Sequence, residues 1–406
     1  MRIALFHNLP SGGAKRTLNE ATKRLTVNHQ IDVYTLSCAN HKFADLRPYV
    51  ANHRVFDFRP LPLLSSPFGR LNQAIRLIDL LRLRFLSQNI ARKVEAGNYD
   101  VMLVQPCQFE QSPSILRYLK CLPTVYYCHE PLRSLYEVIP TRPYNDNNFT
   151  RRSVLNRIDP LPSLYYSVLK HSDQYNTRSA NTVLVNSEFM RDAVSHIYQV
   201  NAQVSYLGVE TQLFRPLLVE KHPMLLSVGS LTPLKGFDFL IKAVAKMPFE
   251  QRPPLVIVSN FQNPPEKAYL QQLANSLEVD LKLLSNVTDE RLVELYNQAK
   301  ITVYSPIREP FGLVPLESMA CGTPVVAVRE GGTQETILHK QTGLLVERDP
   351  LGFAGAVQQL LSCPALSTEY GRNSREHVLR NWSWDQAVAT LENHLTASAG
   401  VLQSIQ

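Results

Sequence analysis

The chain has 406 residues, more than one ordinary domain holds, and this length predicts roughly two or three domains. Its 44% hydrophobic content is ordinary for a soluble globular protein and lets each domain bury a core. The formal net charge of +7 fits anionic substrates or an anionic membrane surface. Nucleic acid is disfavoured as a partner, because the sequence has no zinc-ligand spacing, basic leucine zipper or RNP-like signature.

Short apolar strands alternate with helical patterns in two separate series. The first series of strands is predicted at Ile3–Phe6, Ile31–Leu36, Val101–Val104, Val125–Cys128, Val183–Val185 and Val204–Tyr206. The second series is predicted at Leu225–Val228, Leu255–Val258, Leu281–Leu284, Ile301–Tyr304, Val325–Val328 and Leu344–Val346. Apolar strands that do not alternate indicate parallel sheets covered by helices on both faces. The sequence therefore predicts an α/β protein with two doubly wound, Rossmann-like domains.

Prolines and charges interrupt this rhythm between Leu213 and Pro223, where the boundary between the domains is predicted. The predicted parts are a first domain over residues 1–215, a second over 216–380, and a C-terminal helix within 381–406. The sequence leaves open whether that helix crosses back to the first domain. Ligands of open α/β sheets bind beyond the carboxyl ends of the strands, so the cleft between two such domains is the expected site.

Two stretches depart from the pattern. Pro140–Pro162 is rich in proline, asparagine and arginine and predicts a long loop, a feature that is usually functional or disordered. Leu71–Val94 predicts a helix with many leucines and isoleucines and a series of basic residues in or beside it: Arg70, Arg76, Arg82, Arg84, Arg92 and Lys93. One interpretation is a basic amphipathic helix lying on an anionic membrane. The other is a crossover helix with a solvated cationic face, and both stay open.

Two motifs in the first half follow predicted strands. Gly12 and Gly13 come after the first strand, where adjacent glycines let a ligand approach the backbone and the next helix N-terminus. They do not form the G-x-G-x-x-G dinucleotide fingerprint, and a plain tight turn is the alternative. His129 follows the strand at Val125–Cys128, at the edge where ligands bind. A structural or surface histidine is the alternative there.

The second domain opens with Ser227-Val-Gly229-Ser-Leu-Thr-Pro-Leu-Lys235-Gly236 after its first strand. Gly229 allows a tight turn and close approach of a ligand, and Lys235 precedes a helix start, where a cation meets a diphosphate. Many α/β proteins need a glycine at this point for structure alone. The lysine and the acidic residues downstream favour the functional interpretation.

The run Glu309-Pro-Phe-Gly-Leu-Val-Pro-Leu-Glu317 enters a helix after the strand at Ile301–Tyr304. One carboxylate lies before the helix and one within it. Between them the helix N-terminus offers free backbone N–H groups and a positive dipole end, which suit a phosphate. Two acceptors for hydroxyl groups around an anion site are typical of a nucleotide-sugar site. The alternative is a pair of solvated acids at a helix end.

The cysteines and the metal-binding motifs of the sequence bear on whether the protein holds a disulfide, a metal or a cofactor. The six cysteines are scattered with no C-x-x-C pair, which predicts free thiols in a reducing cytoplasm. The chain has no Asp-x-Asp pair to clamp a metal on a diphosphate and no Walker A, G-x-S-x-G or H-E-x-x-H motif. Neither a metal nor a bound cofactor is expected. No apolar stretch reaches the length of a membrane span, so the protein is expected in the cytoplasm, or peripheral at the inner membrane face.

Taken together in order, these runs resemble the retaining glycosyltransferases of glycosyltransferase family 4, the glycosyl transferases group 1, which have the GT-B fold. The resemblance covers most of the chain and is strongest from Gly208 to Val346. Further matching runs are Leu184-Val-Asn-Ser-Glu-Phe-Met190, Leu207–Pro216, Ala320-Cys-Gly-Thr-Pro-Val-Val326, Glu330-Gly-Gly-Thr-Gln-Glu335 and Thr342-Gly-Leu-Leu-Val346.

The resemblance implies a metal-independent transfer of a sugar from a UDP- or GDP-linked donor to a glycan or glycolipid acceptor. It implies that Glu309 binds donor-sugar hydroxyls and that Glu317 binds the ribose. Lys235 and backbone amides would hold the diphosphate; the donor-binding positions are Gly12, Gly13, Gly229, Ser230, Phe311, Gly312, Leu313 and Val314. His129 would lie near the reacting centre.

One departure from the family pattern is Ser230, where an arginine often shares the diphosphate with the lysine. A serine hydroxyl supplies no charge, so either another cation, such as Arg16 or Arg329, replaces it or donor affinity is lower. The alternatives to a transferase are a catalytically silent transferase-like subunit and a nucleotide-sugar epimerase or phosphorylase on the same fold.

Overall fold

The computed structural model describes residues 1–65, 68–145, 160–261 and 263–403, which form two units. The first comprises Met1–Val138, Asn148–Leu207 and Ala387–Gln406, and the second comprises Ile139–Asn147 and Gly208–Gln386. The second unit thus begins before the predicted boundary at 215/216 and ends after the one at 380/381. Most of the predicted loop Pro140–Pro162, namely residues 146–159, lies outside the described residues.

Close backbone packing explains where the second unit begins and ends. A Cβ on Gly208 would lie 2.6 Å from the backbone of Trp384, and the N–H of Val209 donates to the carbonyl of Trp382 at 2.9 Å. Phe214, within the predicted boundary region, is buried and packs edge-on against Tyr296, with ring centroids 6.0 Å apart. The prolines and charges from Leu213 to Pro223 therefore lie on the second unit.

The first unit contains a fully parallel sheet with helices between its strands. Its described strands are β1 (Arg2–Asn8), β2 (Gln30–Leu36), β3 (Asn52–Phe56), β4 (Val101–Cys107), β5 (Thr124–Tyr127), β6 (Thr182–Val185) and β7 (Ala202–Val204). They pair in the order β3-β2-β1-β4-β5-β6-β7. Its helices are α1 (Gly13–Leu25), α2 (Asn72–Glu95), α3 (Arg133–Tyr136), α4 (Pro160–Arg178) and α5 (Glu188–Tyr198).

The second unit repeats this arrangement. Its described strands are β8 (His222–Val228), β9 (Leu255–Val258), β10 (Leu281–Leu284), β11 (Ala299–Tyr304), β12 (Val325–Val328) and β13 (Gly343–Val346), paired in parallel as β10-β9-β8-β11-β12-β13. Its helices are α6 (Phe237–Val244), α7 (Pro264–Ser276), α8 (Asp289–Gln298), α9 (Leu313–Ala320), α10 (Thr333–Thr336), α11 (Pro350–Ser362) and α12 (Pro364–Asn381). Helix α13 (Trp384–Gln403) starts here and belongs to the first unit from Ala387 onward.

The strand order determines where each sheet can bind a ligand. In both sheets the first strand lies in the interior, β1 between β2 and β4, and β8 between β9 and β11. The direction of strand addition reverses at that point, and the loops after the two adjoining strands part to leave a crevice at the carboxyl edge. The expected sites are therefore the loops after β1 and β4 in the first unit and those after β8 and β11 in the second.

Helix α2 covers the segment for which one interpretation of the sequence is a basic amphipathic helix. The helix does not have one apolar side and one polar side. Leu83 and Ile90 are buried in the core of the first unit, whereas Leu81 and Phe85 are exposed. Apolar residues thus lie on both sides, with basic residues among them. Among the described residues no helix combines the length and the apolar character needed to cross a membrane.

Candidate active site

In the second unit, hydrogen bonds join the loop after β8 to the loop after β11. The N–H of Ile307 donates to the carbonyl of Leu234 at 2.8 Å, and the Ser305 hydroxyl donates to the carbonyl of Gly236 at 2.9 Å. Gly236 has a φ of 65°, and a Cβ there would lie 2.3 Å from the Ser305 carbonyl oxygen. Only glycine fits this turn without strain. The two loops are thereby held together at the point where the strand order reverses.

This junction brings Lys235 and Glu309 into direct contact. The Lys235 ammonium lies 2.9 Å from both carboxylate oxygens of Glu309, and the two side chains are 24% and 16% exposed. The stem of Lys235 passes Gly229, where a Cβ would lie 3.4 Å from its Cγ and Cδ. Gly229 therefore leaves room for the lysine, and the left-handed residue of this loop is Gly236.

The position of Glu309 is fixed from two sides. The Tyr304 hydroxyl hydrogen-bonds its carboxylate; burial, and then the negative charge of Glu309, raise the pKa of Tyr304 well above its usual range, so the hydroxyl stays protonated. The N–H of Gly332 donates to the Glu309 carbonyl at 2.8 Å. Gly331 has a φ of 63°, and a Cβ there would lie 2.3 Å from the same carbonyl oxygen. The paired glycines after Glu330 thus position the backbone of Glu309.

Replacing Gly331 with alanine is expected to destabilise the protein by about 3 kcal/mol, because the new Cβ meets a backbone oxygen at a left-handed φ. Chemical denaturation followed by circular dichroism measures this change. The matched control is Gly355→Ala in α11, where a Cβ meets nothing within 4 Å and the change should stabilise slightly. Equal unfolding midpoints for the Gly331 variant and the wild type would contradict the packing described here.

Glu317 lies inside α9 and is held by a neighbouring helix. Its Oε2 accepts a hydrogen bond of 2.8 Å from the hydroxyl of Tyr296, the last-turn tyrosine of α8. Burial, and then the charge of Glu317, raise the pKa of Tyr296 well above its usual range, so this hydroxyl remains a donor. The buried carboxylate is therefore kept in one orientation.

The N-terminus of α9 is a suitable place for an anion. Gly312 precedes the helix with a φ of 107°, and no hydrogen bond from a side chain caps this end in the described structure. Leu313 and Val314 begin the helix with N–H groups that α-helical geometry leaves without partners inside the helix. Phe311 is buried, and its ring packs against Trp382 with centroids 5.6 Å apart, which anchors the turn. Backbone donors and the helix dipole therefore favour a phosphate here.

Arg329 and Arg16, the cations suggested in place of an arginine at Ser230, each have contacts within their own unit. Arg329 donates to the carbonyl of Leu345 at 3.2 Å and lies 3.6 Å from Glu347, on the β13 side. Arg16 belongs to the first unit, where its guanidinium lies 6.0 Å from the centre of the Phe43 ring. The Ser230 hydroxyl lies 3.5 Å from that of Thr232.

Two arginines that no motif in the sequence marks as site residues brace these loops. Arg348 forms a bidentate salt bridge with Glu330, from Nε to Oε1 at 2.7 Å and from Nη2 to Oε2 at 2.8 Å. It also donates hydrogen bonds to the carbonyls of Ser305 and Pro306. Arg142, in the segment Ile139–Asn147, binds the fully buried Glu266 and also Asp238 at 2.9 Å. It donates to the carbonyl of Pro233 as well, on the loop that carries Lys235. No periodicity or motif marks Arg142 in the sequence.

The remaining predicted residues lie in the first unit. Gly12 and Gly13 are exposed at the start of α1, which has no side-chain cap in the described structure, and a Cβ on either would meet nothing within 4 Å. His129 follows β5, and its Nε2 lies 2.9 Å from Oε1 of Gln105 on β4. Burial lowers the pKa of His129 to about 4, so the ring is neutral near pH 7. If Nε2 donates to Gln105, Nδ1 is left as the acceptor of the ring.

Comparisons with known proteins agree with this architecture. Residues 209–377, all in the second unit, match the family model described as Glycosyl transferases group 1. The D-inositol 3-phosphate glycosyltransferase of Acidothermus cellulolyticus is 38% identical over 203 residues, which are 45% of this chain and 44% of that protein. This chain thus spans about half the length of the curated relatives of this kind that it matches.

Two solved structures resemble nearly the whole chain. Sucrose-phosphate synthase from Thermosynechococcus elongatus superposes with a TM-score of 0.73 at 21% identity, covering 98% of this chain and 100% of that one. The Anabaena protein Alr3699/HepE, solved in complex with UDP and glucose, gives 0.69 at 19% identity, covering 98% and 99%. The prediction of an α/β protein with two Rossmann-like domains of the GT-B fold class is confirmed. The match to the glycosyl transferases group 1 model is confined to residues 209–377, and the two solved structures extend the likeness of fold to nearly the whole chain.

Proposed function

We propose that the protein is a retaining glycosyltransferase of glycosyltransferase family 4 that uses a UDP- or GDP-linked sugar. The observation that carries this proposal is the Lys235–Glu309 contact beside the N-terminus of α9. A cation and a helix N-terminus suit a diphosphate, and a carboxylate next to them suits the hydroxyls of the attached sugar. The Anabaena neighbour solved with UDP and glucose supports a donor of this type.

The donor would use groups that already have fixed positions. The N–H groups of Leu313 and Val314 and the Lys235 ammonium would bind the diphosphate, and Glu317, oriented by Tyr296, would accept from the ribose hydroxyls. Lys235 would then turn from Glu309 toward the phosphate oxygens. That exchange leaves Glu309 able to accept hydrogen bonds from the hydroxyls of the sugar. No metal is required in this scheme, and the chain carries no Asp-x-Asp pair that would hold one.

In the proposed reaction the bond from the anomeric carbon to the phosphate oxygen breaks, and the acceptor hydroxyl forms its new bond on the same face. The departing phosphate oxygen takes the proton of that hydroxyl. Lys235 and the helix N-terminus stabilise the charge that develops on the diphosphate. Gly12 and Gly13 leave room beside the backbone, and neutral His129 accepts a hydrogen bond from the sugar or acceptor. A glycan or a lipid-linked sugar is the acceptor class proposed.

Thermal unfolding in the presence of UDP, GDP or ADP tests the donor site. One nucleotide should raise the melting temperature with concentration, because a ligand present at about 100 times its Kd adds roughly 2.7 kcal/mol to native-state stability. Glu317→Gln should remove most of that increase, and Glu347→Gln, which changes an exposed glutamate, should not. No shift with any nucleotide would overturn the donor site and favour a catalytically silent subunit.

The stereochemical part of the proposal has its own test. Product analysis by nuclear magnetic resonance should find the anomeric configuration of the donor retained in the transferred sugar. An inverted product would contradict the retaining mechanism, and an epimerised donor formed without acceptor would favour the epimerase alternative.

A further inference from the structure

The solvent-facing side of α2 in the first unit carries large apolar side chains among its basic ones, although surface helices ordinarily expose mainly polar residues. Its spacing places four large apolar side chains, exposed by 48 to 73%, along one stripe: Leu71, Ile78, Leu81 and Phe85. Arg82 is one turn from Ile78 and from Phe85, and Arg92 continues the stripe two turns beyond Phe85. These six residues are called the apolar–basic face.

The apolar surface continues past the start of the helix. Asn72, the first residue of α2, binds the backbone of Leu64 through two hydrogen bonds of 2.8 and 3.1 Å, which holds the preceding segment beside the helix. In that segment Leu63, Leu64 and Phe68 are all exposed. Exposed large apolar side chains are thus concentrated on α2 and on the described residues just before it, a concentration typical of an interaction site.

Packing within the first unit does not account for these side chains. The opposite side of α2 already supplies Leu83, Ile90 and Val94 to the core, so the helix is anchored without the apolar–basic face. The helix also carries five basic residues and two acidic ones. Of the acids, Asp79 is paired with Arg82 at 2.6 Å and Glu95 accepts from the backbone N–H groups of Lys120 and Cys121. Positive charge is therefore in excess along this helix.

We propose that the apolar–basic face docks on the surface of an anionic lipid bilayer. Apolar side chains would enter the boundary between headgroups and acyl chains, and the arginines would reach the lipid phosphates. Charge favours lipid over a second copy of the chain, because pairing two copies of this face would bring like charges together. Docking here does not depend on the proposed transfer reaction, although it would bring the enzyme to lipid-linked acceptors.

Vesicle flotation of the full chain tests the proposal. Wild-type protein should float with vesicles that contain phosphatidylglycerol and stay behind with pure phosphatidylcholine. Leu81→Gln with Phe85→Gln should abolish flotation. Arg92→Gln should lower the partition coefficient about fivefold, the effect of one basic residue lost.

The matched control is Phe249→Gln with Leu379→Gln, which removes a phenylalanine and a leucine of similar exposure from the second unit, 62% and 48% against 73% and 51%. This control should float as the wild type does, and circular dichroism should give all variants the same melting temperature. Three results would overturn the proposal. They are no flotation of the wild type, full flotation of the Leu81 and Phe85 variant, or a wild-type dimer that this variant dissociates.

Discussion

Replacing Lys235 with methionine is expected to lower kcat for sugar transfer by about 10²- to 10³-fold, the effect of losing one strong donor to a developing oxyanion. Methionine keeps an unbranched stem beside Gly229 and removes the charge. The loss should fall at the large end of that range, because the Glu309 carboxylate would then face the diphosphate without its cation. Steady-state kinetics with saturating acceptor measures the change.

The control for this variant is Lys242→Met in α6. Lys242 is also paired with a carboxylate, that of Asp238 at 3.4 Å, but it is exposed and lies away from the loop after β11. Its replacement should leave kcat and KM within about twofold of the wild type, since exposed ion pairs contribute little. A Lys235 variant with wild-type turnover would remove this lysine from the mechanism.

Replacing Glu309 with glutamine is expected to lower kcat roughly 10- to 100-fold, the scale of a lost hydrogen bond to a charged group of about 1.5–3 kcal/mol. The affinity for the free nucleoside diphosphate should stay the same or rise, because Lys235 no longer has a competing carboxylate partner. Kinetics gives the first quantity and calorimetric titration the second. Weaker nucleotide binding with unchanged kcat would contradict the role proposed for Glu309.

A double variant with Lys235→Met and Glu309→Gln tests whether the two residues act together or independently in the reaction. Because the two groups touch, their effects should not add, and the double variant should be no slower than Lys235→Met alone. Removing both charges also removes the repulsion that the single lysine change creates. Fully additive losses would mean that each residue acts without the other.

Most strands could be predicted from the sequence because they are interior strands of parallel sheets. Burial on both faces selects unbroken apolar runs such as Leu255–Val258 and Val325–Val328, which the structure reproduces residue for residue. The strand β3 was missed because it is an edge strand whose residues, among them Arg54 and Val55, are largely exposed. β7 lies two residues before its predicted position, and it too is an edge strand with only one buried residue.

The candidate site was predictable in its residues but not in its contacts. The order of the motifs identifies Lys235 and Glu309, yet 74 positions separate them, and only the parallel pairing of β8 with β11 brings their loops together. The run Ser227–Gly236 contains two glycines, Gly229 and Gly236, and the sequence does not show which of them adopts a left-handed φ; in the structure it is Gly236. The role of Arg142, one of several arginines in the predicted loop Pro140–Pro162, could not be predicted, because its partners Glu266 and Asp238 come from distant helices.

The excursion of Ile139–Asn147 onto the second unit has a consequence for how such proteins can recombine. Suppose that recombination replaced the chain from Gly208 onward with the same region of a related protein. Arg142 would then stay from the original protein, while the residues that bind it would come from the relative. Unless the incoming half also supplied an acid at the place of Glu266, a buried charge would be left without its counterpart, a cost of about 3–5 kcal/mol. The second unit is therefore built from two separate stretches of the chain. A hybrid protein in which only one half is exchanged should fold poorly unless Ile139–Asn147 is exchanged together with the second half.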